Sequence, residues 1–389
     1  MTDSKADVLE SLQLEGIQEL VQPPGPCVTV LLAPYRPGEQ AKSMAGIIKN
    51  YLKDAEKQLI ERKVPATVRA DVLDPIEHLG EDPELIKGSH WGRAIFRSPG
   101  VFRQFELIGP VQGALTVGGY FAIRPILGDL LVPPEFYVLK LSKTHVALLK
   151  CAGLRGEQVP LPAGIPTTIE EAESFKPPDH DLENRSTAGS STGSMRAVRF
   201  GTGSGRETQR TYLADFYKAI DRGLREKVQL SDAPLVLAGV DEDNALYRTI
   251  NRYPNLLAQS VSGSPDDGAL SELDLVGRAY TIVRSDCTER AARALAESRE
   301  RVAPARYANG INAILRAAVE GRVANLYIDE TAQMHGVFEG AKRGGRWNYG
   351  EEDLLNVAAV ETILRGGDAV NLPAGRIPNG EPVAAILRF

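Results

Sequence analysis
The clearest periodicity in this 389-residue chain lies near its middle. Leu213, Phe216, Tyr217, Ile220, Leu224 and Val228 recur at three- and four-residue steps, which predicts a helix with one apolar face. Leu235, Val236, Leu237 and Ala238 then form a continuous apolar run closed by Gly239, the pattern of a short buried strand. Ahead of the helix runs NRSTAGSSTGSMRAVRFGTGSGRETQR, a Ser/Thr/Gly stretch carrying arginines. The pattern predicts a polar loop held on a packed helix and strand, the usual way a scaffold presents a functional segment.

Elsewhere the pattern is that of an α/β protein. Residues 28–33 read as a strand ending at Pro34. A long helix is expected over about 42–62, with Ile48, Tyr51, Leu52, Ala55 and Leu59 inward and Lys49, Lys53, Asp54, Glu56 and Lys57 in solvent. WGRAIFRSPGVFRQFELI predicts two strands joined by a tight Ser-Pro-Gly turn. The prolines of GDLLVPPE mark a boundary. FYVLKLS and THVALLKC alternate around Ser142 and Lys143, as a half-buried hairpin should. Residues 153–183 show no usable period. A short helix over about 244–253 stops at Pro254, and GSPDDG at 263–268 reads as a linker.

Helices and strands alternate beyond that linker. Ile311, Ile314, Leu315 and Ala318 make one helical face, Gly321 ends it, and 323–328 is a buried strand. The glycine-rich GAKRGGRWNYG precedes a helix from near Glu351 to Gly366-Gly367. Strands are expected at 369–372 and 383–389. The expected organisation is an α/β chain of three domains: an N-terminal α/β domain at 1–130, a middle domain at 131–266 carrying the 184–210 loop, and a C-terminal α/β/α domain at 267–389.

Composition narrows the function classes. Hydrophobic residues at 43% and charged residues at 25% are globular values. A net charge of −6 argues against coating nucleic acid by bulk charge, so such contact needs a local patch. Residues 184–229 supply one, with nine Lys/Arg against four Asp/Glu. Cys27, Cys151 and Cys287 are odd in number and far apart, which fits a reducing compartment rather than a disulfide framework. His78, His90, His145 and His180 have no ligand spacing, so no metal or cofactor is expected. The opening MTDSKADVLESLQ lacks a basic start and apolar core, and no apolar run approaches the roughly 20 residues of a membrane helix. A cytoplasmic protein without membrane or DNA partners is the expectation.

The candidate site residues follow from the basic stretches. Arg185, Arg196, Arg199, Arg206 and Arg210, with Gly201, Gly203 and Gly205 between them, can form a cationic tongue for RNA phosphates. A plain soluble loop has the same composition. The three glycines lack the preceding strand and the offset of a nucleotide fingerprint. Lys342, Arg343 and Arg346 beside Trp347 mix cations with an aromatic, as an RNA-contacting loop does, or form a surface connection. Asp329, Glu330 and His335 follow a strand end and could act as acid and base, although such segments are more often solvated turns.

Taken in order, these segments resemble the bacterial branch of the archaeal and eukaryotic peptide-chain release factor family. The residues that carry the resemblance are CVTVLLAPYRPG, RAIFRSPGVFRQFEL, FYKAIDRGLREKV, APLVLAGVDEDNALYRTINRYPNLL, AAVEGRVANLYIDE, EEDLLNVAAVETILRGGDAVNLP and EPVAAILRF. The resemblance implies a ribonuclease-H-like middle domain and a C-terminal sandwich like the ribosomal protein that binds kink-turn RNA. It also implies action at the ribosomal A site as a tRNA mimic, with ribosomal RNA as partner.

Release factors of that family carry Gly-Gly-Gln in the loop before the middle domain's long helix, and its glutamine supports hydrolysis of the peptidyl-tRNA ester. Here the loop reads GSMRAVRFGTGSGRETQR, and no Gly-Gly-Gln occurs in the chain. Gln209 lacks the glycine pair whose positive φ allows close approach to an ester. The family's codon-reading signature has no counterpart here either. The expectation is a ribosome-associated paralogue in rescue, hibernation or regulation, without Gly-Gly-Gln-type hydrolysis. The alternatives are a peptidyl-tRNA or other ester hydrolase with a diverged site at Gln209, and a repurposed protein-interaction or ligand-binding module.

Overall fold
The computed structural model describes residues 14–34, 41–80, 91–108, 111–142, 145–168, 171, 204–228, 230–263, 270–337 and 351–389. The chain divides into two compact units. One comprises Met1–Pro134 with Arg284–Phe389, and the other is Glu135–Val283. The three regions expected from the sequence thus fall into two units, because the first and last parts of the chain share one hydrophobic core.

In the first unit, strands β1 (Cys27–Leu32), β2 (Gly92–Ser98), β3 (Val101–Leu107) and β4 (Ala114–Gly118) form an antiparallel sheet of order β3-β2-β1-β4. The β2–β3 turn has the expected Pro99-Gly100 centre, with Gly100 at φ 73°, a region glycine enters without penalty. Helices α2 (Ala41–Glu61) and α3 (Ala66–Leu79) cover one face, where Met44, Ile48, Ala55, Leu59 and Ile76 meet Val28, Val30 and Ile95. The other face belongs to the shared core, with Ile17 and Leu20 of α1 (Leu14–Val21).

The unit's second sheet has order β10-β15-β11-β14, built from Tyr307–Asn309, Val383–Leu387, Val323–Asp329 and Asp368–Leu372. Only its β11–β14 pair is parallel. Helices α7 (Ile311–Val319) and α8 (Leu354–Leu364) pack on one face. Ala292 and Leu295 of the long helix α6 (Glu272–Arg301) pack on the other.

Helix α8 explains the merger of the two ends. Every residue from Leu355 to Ile363 is buried, and a helix buried all round needs neighbours on every side. Its polar residues bond to the N-terminal region. Asn356 accepts from the Ile123 amide at 2.9 Å and donates to the Phe121 carbonyl at 2.8 Å. Glu361 accepts from the Tyr120 hydroxyl at 3.2 Å. Arg124, its side chain 12% exposed, pairs with Asp353 at 2.7 Å and donates to the Ala332 carbonyl at 2.8 Å.

In the second unit, β5 (Phe136–Leu141), β6 (Val146–Ala152), β7 (Arg155–Val159), β8 (Leu235–Gly239) and β9 (Leu256–Ser262) form a sheet of order β7-β6-β5-β8-β9. The first three strands are antiparallel, while β8 and β9 continue parallel to β5. Helices α4 (Ser204–Gly223) and α5 (Asp241–Ile250) contribute Leu213, Phe216, Tyr217, Ile220 and Tyr247 to the core on one face. The start of α6 lies on the other, where Tyr280 meets Phe136 edge-on at 6.2 Å. Covered on both faces, β5 is buried at five of six positions instead of alternating as expected.

Candidate nucleic-acid interface
Most of the predicted cationic tongue, including Arg185, Arg196, Arg199, Gly201 and Gly203, lies outside the described residues. So do Lys342, Arg343, Arg346 and Trp347, between the short strands β12 (His335–Gly336) and β13 (Glu352–Asp353). Gly205, Arg206 and Gln209 belong to the first turns of α4, and Arg210 is its first described side chain, exposed to solvent. The tongue therefore enters a helix that is fixed in the core by Leu213, Phe216 and Tyr217.

The outer face of that helix is charged. Lys218 pairs with Asp215 at 3.1 Å, and its side chain is 63% exposed. Arg222 is exposed one turn on. The helix then widens into a π-helical turn over Leu224–Val228, a distortion that recurs at functional sites. Asp221, 3% exposed, accepts from Arg225 Nε at 3.1 Å and from the Arg252 amide at 3.1 Å. Two arginines distant in sequence thus meet around one buried carboxylate. The Asp221–Arg225 pair was visible as an i,i+4 spacing, but nothing in the sequence announced Arg252.

Beneath the helix, Tyr217 and Tyr247 are wholly buried, with ring centres 5.9 Å apart. Burial pushes both phenol pKa values up, reinforced by Asp243 at Tyr217 and by Asp221 at Tyr247. Both stay neutral and serve packing. The adjacent strands β5 (FYVLKL) and β8 (LVLAG) carry no Asp, Glu or His. A cavity of about 50 Å³ at the ends of β5, β8 and β9, bordered by Lys140, Val261 and Glu272, is far smaller than substrate pockets of roughly 300–1,000 Å³.

Asp329 closes a turn. Its carboxylate accepts from the Thr331 amide at 2.9 Å, the Thr331 hydroxyl at 2.6 Å and the Gly375 amide at 3.1 Å. Burial alone would raise its pKa, but these bonds outweigh it and hold the carboxyl below its ordinary value. The Glu330 amide bonds to the Leu372 carbonyl, and exposed His335 pairs with Asp353 in the β12–β13 ladder. Among the described residues no cluster of three metal-ligating side chains occurs, and no helix is long and apolar enough to cross a membrane.

Residues 135–322, the whole second unit and the following elements through α7, match the family model of bacterial archaeo-eukaryotic release factor family 3. No curated protein matches. Among solved structures, the archaeal translation termination factor aRF1 is 12% identical with a TM-score of 0.24, covering 97% of each chain. Pelota from Archaeoglobus fulgidus is 11% identical over 97% of this chain and 91% of its own, with a TM-score of 0.37. S. cerevisiae Dom34, a translation termination-like factor involved in RNA quality control pathways, is 10% identical over 74% of this chain and 73% of its own, with a TM-score of 0.31. Likeness at these scores carries no argument. The segment that matches this family model contains the cationic tongue, α4 and the Asp221 cluster.

Proposed function
We propose that the protein is a ribosome-associated release-factor paralogue, acting in rescue, hibernation or regulation as a tRNA mimic without Gly-Gly-Gln-type hydrolysis. The observation that carries this reading is the family match over 135–322, joined to a Gly/Ser/Arg tongue that leads into a core-anchored helix. The sheet order β7-β6-β5-β8-β9 supports a ribonuclease-H-like middle region, and the sheet flanked by α6 and by α7 and α8 supports a C-terminal sandwich of the kink-turn-binding kind. Gln209 lies in the helical backbone of α4 and has no glycine pair before it, which does not favour the diverged hydrolase. Contact by the tongue and by the segment around Lys342, Arg343 and Arg346 is part of the proposal, as is action in the cytoplasm, where ribosomes work.

Co-sedimentation with 70S ribosomes over a salt series tests it. Saturable binding that weakens as salt rises is expected, since phosphate contacts release counterions. The variant R196S/R199S/R206S/R210S should lose about tenfold or more in affinity at physiological salt. Absence of wild-type binding to both empty and stalled ribosomes would refute the reading and favour the repurposed interaction module.

A further inference from the structure
Arg225 is held in an unusual way for a surface arginine. Its Nε donates to buried Asp221, which leaves both Nη groups with no bond or ion pair to described residues. A guanidinium fixed by one edge presents the other as a ready two-donor fork, the geometry that suits phosphate. Arg222 is exposed one helical step away and makes no ion pair among the described residues. The main chain of Arg252 is drawn to the same carboxylate at 3.1 Å, and its side chain is exposed. Lys218 extends the row one turn towards the N-terminus of α4, about 6 Å along the axis. Two of the three acids in this row are engaged, Asp221 by Arg225 and Asp215 by Lys218, while Glu226 is exposed beside Arg225 and leaves the cations of the surface one in excess.

We propose that Lys218, Arg222, Arg225 and Arg252 form a phosphate-binding surface for the sugar-phosphate backbone of structured RNA, separate from the tongue at the other end of α4. The occupant is argued from charge complementarity. Three cations are displayed along one helix and its π-helical end, and one of them is oriented by a buried acid. The inference rests on the ribosome reading and deepens it by giving the middle region a second RNA contact.

The test uses the full chain and the variant R222S/R252S. The Asp221–Arg225 pair and the bond from the residue-252 amide both survive that change, so the fold is retained, which circular dichroism and thermal melting would verify. Binding is read by fluorescence anisotropy with a short RNA hairpin and by ribosome co-sedimentation, each over a salt series. The variant should bind the hairpin about tenfold more weakly, with a salt slope shallower by roughly 1.5, the loss of two phosphate contacts. Arg225→Lys keeps the charge but not the fork, so it should weaken binding with little change in slope.

Unchanged hairpin affinity and slope in R222S/R252S would overturn the inference, even if wild type binds ribosomes and the functional reading stands. Weakened ribosome binding without hairpin binding would indicate an acidic protein surface and would overturn it as well. Hairpin binding that depends on these residues, in a protein that ignores ribosomes, would uphold the surface and sink the ribosomal reading.

Discussion

Helices α4 and α8 use polar side chains in opposite ways. In α4 one face carries Leu213, Phe216, Tyr217 and Ile220 into the core while Arg210, Lys218 and Arg222 stay in solvent. In α8 all faces are buried, and Asn356 and Glu361 bond to main-chain or side-chain groups of the N-terminal region. Buried polar groups of the second kind are costly unless satisfied, so they fix which segments meet. Exposed charges of the first kind add little stability and remain available to a partner. The contrast separates a helix that joins two parts of one unit from a helix that presents a surface.

Three changes would sharpen that contrast. The largest effect is expected from Phe216→Ala, which opens a cavity under α4 and should cost about 3–5 kcal/mol, read as a lower denaturant midpoint. A smaller loss in the Arg222→Ser control, within about 0.5 kcal/mol, would set core against surface on the same helix. Next, Asn356→Ala removes both side-chain bonds and leaves the Ile123 amide and the Phe121 carbonyl only their 3.0 Å bond to each other, which should cost roughly 1–2 kcal/mol. A neutral result in that measurement would mean that the Asn356 bonds do not hold the two ends of the chain together.

The subtlest test is the pH dependence of Glu352, which accepts from the Gly119 amide at 3.0 Å. Burial raises its pKa above the ordinary 4.5, against the opposing pull of that bond and of Arg62. The folded state therefore holds this proton more tightly than the unfolded chain, so the group's contribution to stability falls as pH rises from about 4.5 through the raised folded value. Glu352→Gln should flatten this decline while keeping an acceptor for Gly119. Parallel stability curves for wild type and variant from pH 4.5 to 7 would contradict it.

Much of the fold was legible where the pattern is local and strong. The expected helix at 42–62 is α2 at Ala41–Glu61, and the Ser-Pro-Gly turn joins β2 and β3. The helix expected from Glu351 starts at Leu354, because Asp353 accepts from the Leu355 amide as its N-cap. The thirty-residue α6 was not legible. Its early apolar residues, such as Val276 and Tyr280, face one core and its later ones, Ala292 and Leu295, face another, so no single stripe runs along it. Helix α3 hid behind an internal Pro75, and β7 behind its exposed polar RGEQV. At the candidate site the tongue and Arg210 came from composition and spacing, whereas Arg252 needed the turn after α5 to return beside Asp221.

The sequence by itself determined the amphipathic α4, the local positive charge against a net −6, and the lack of Gly-Gly-Gln. Those are properties of residue type and short-range spacing, which a chain carries whatever surrounds it. Tertiary structure alone decided that the first and last regions share a core around α8 and that Arg225 and Arg252 converge on Asp221. Both depend on which distant segments supply hydrogen-bond partners and exclude water, and periodicity along a single element holds no record of that.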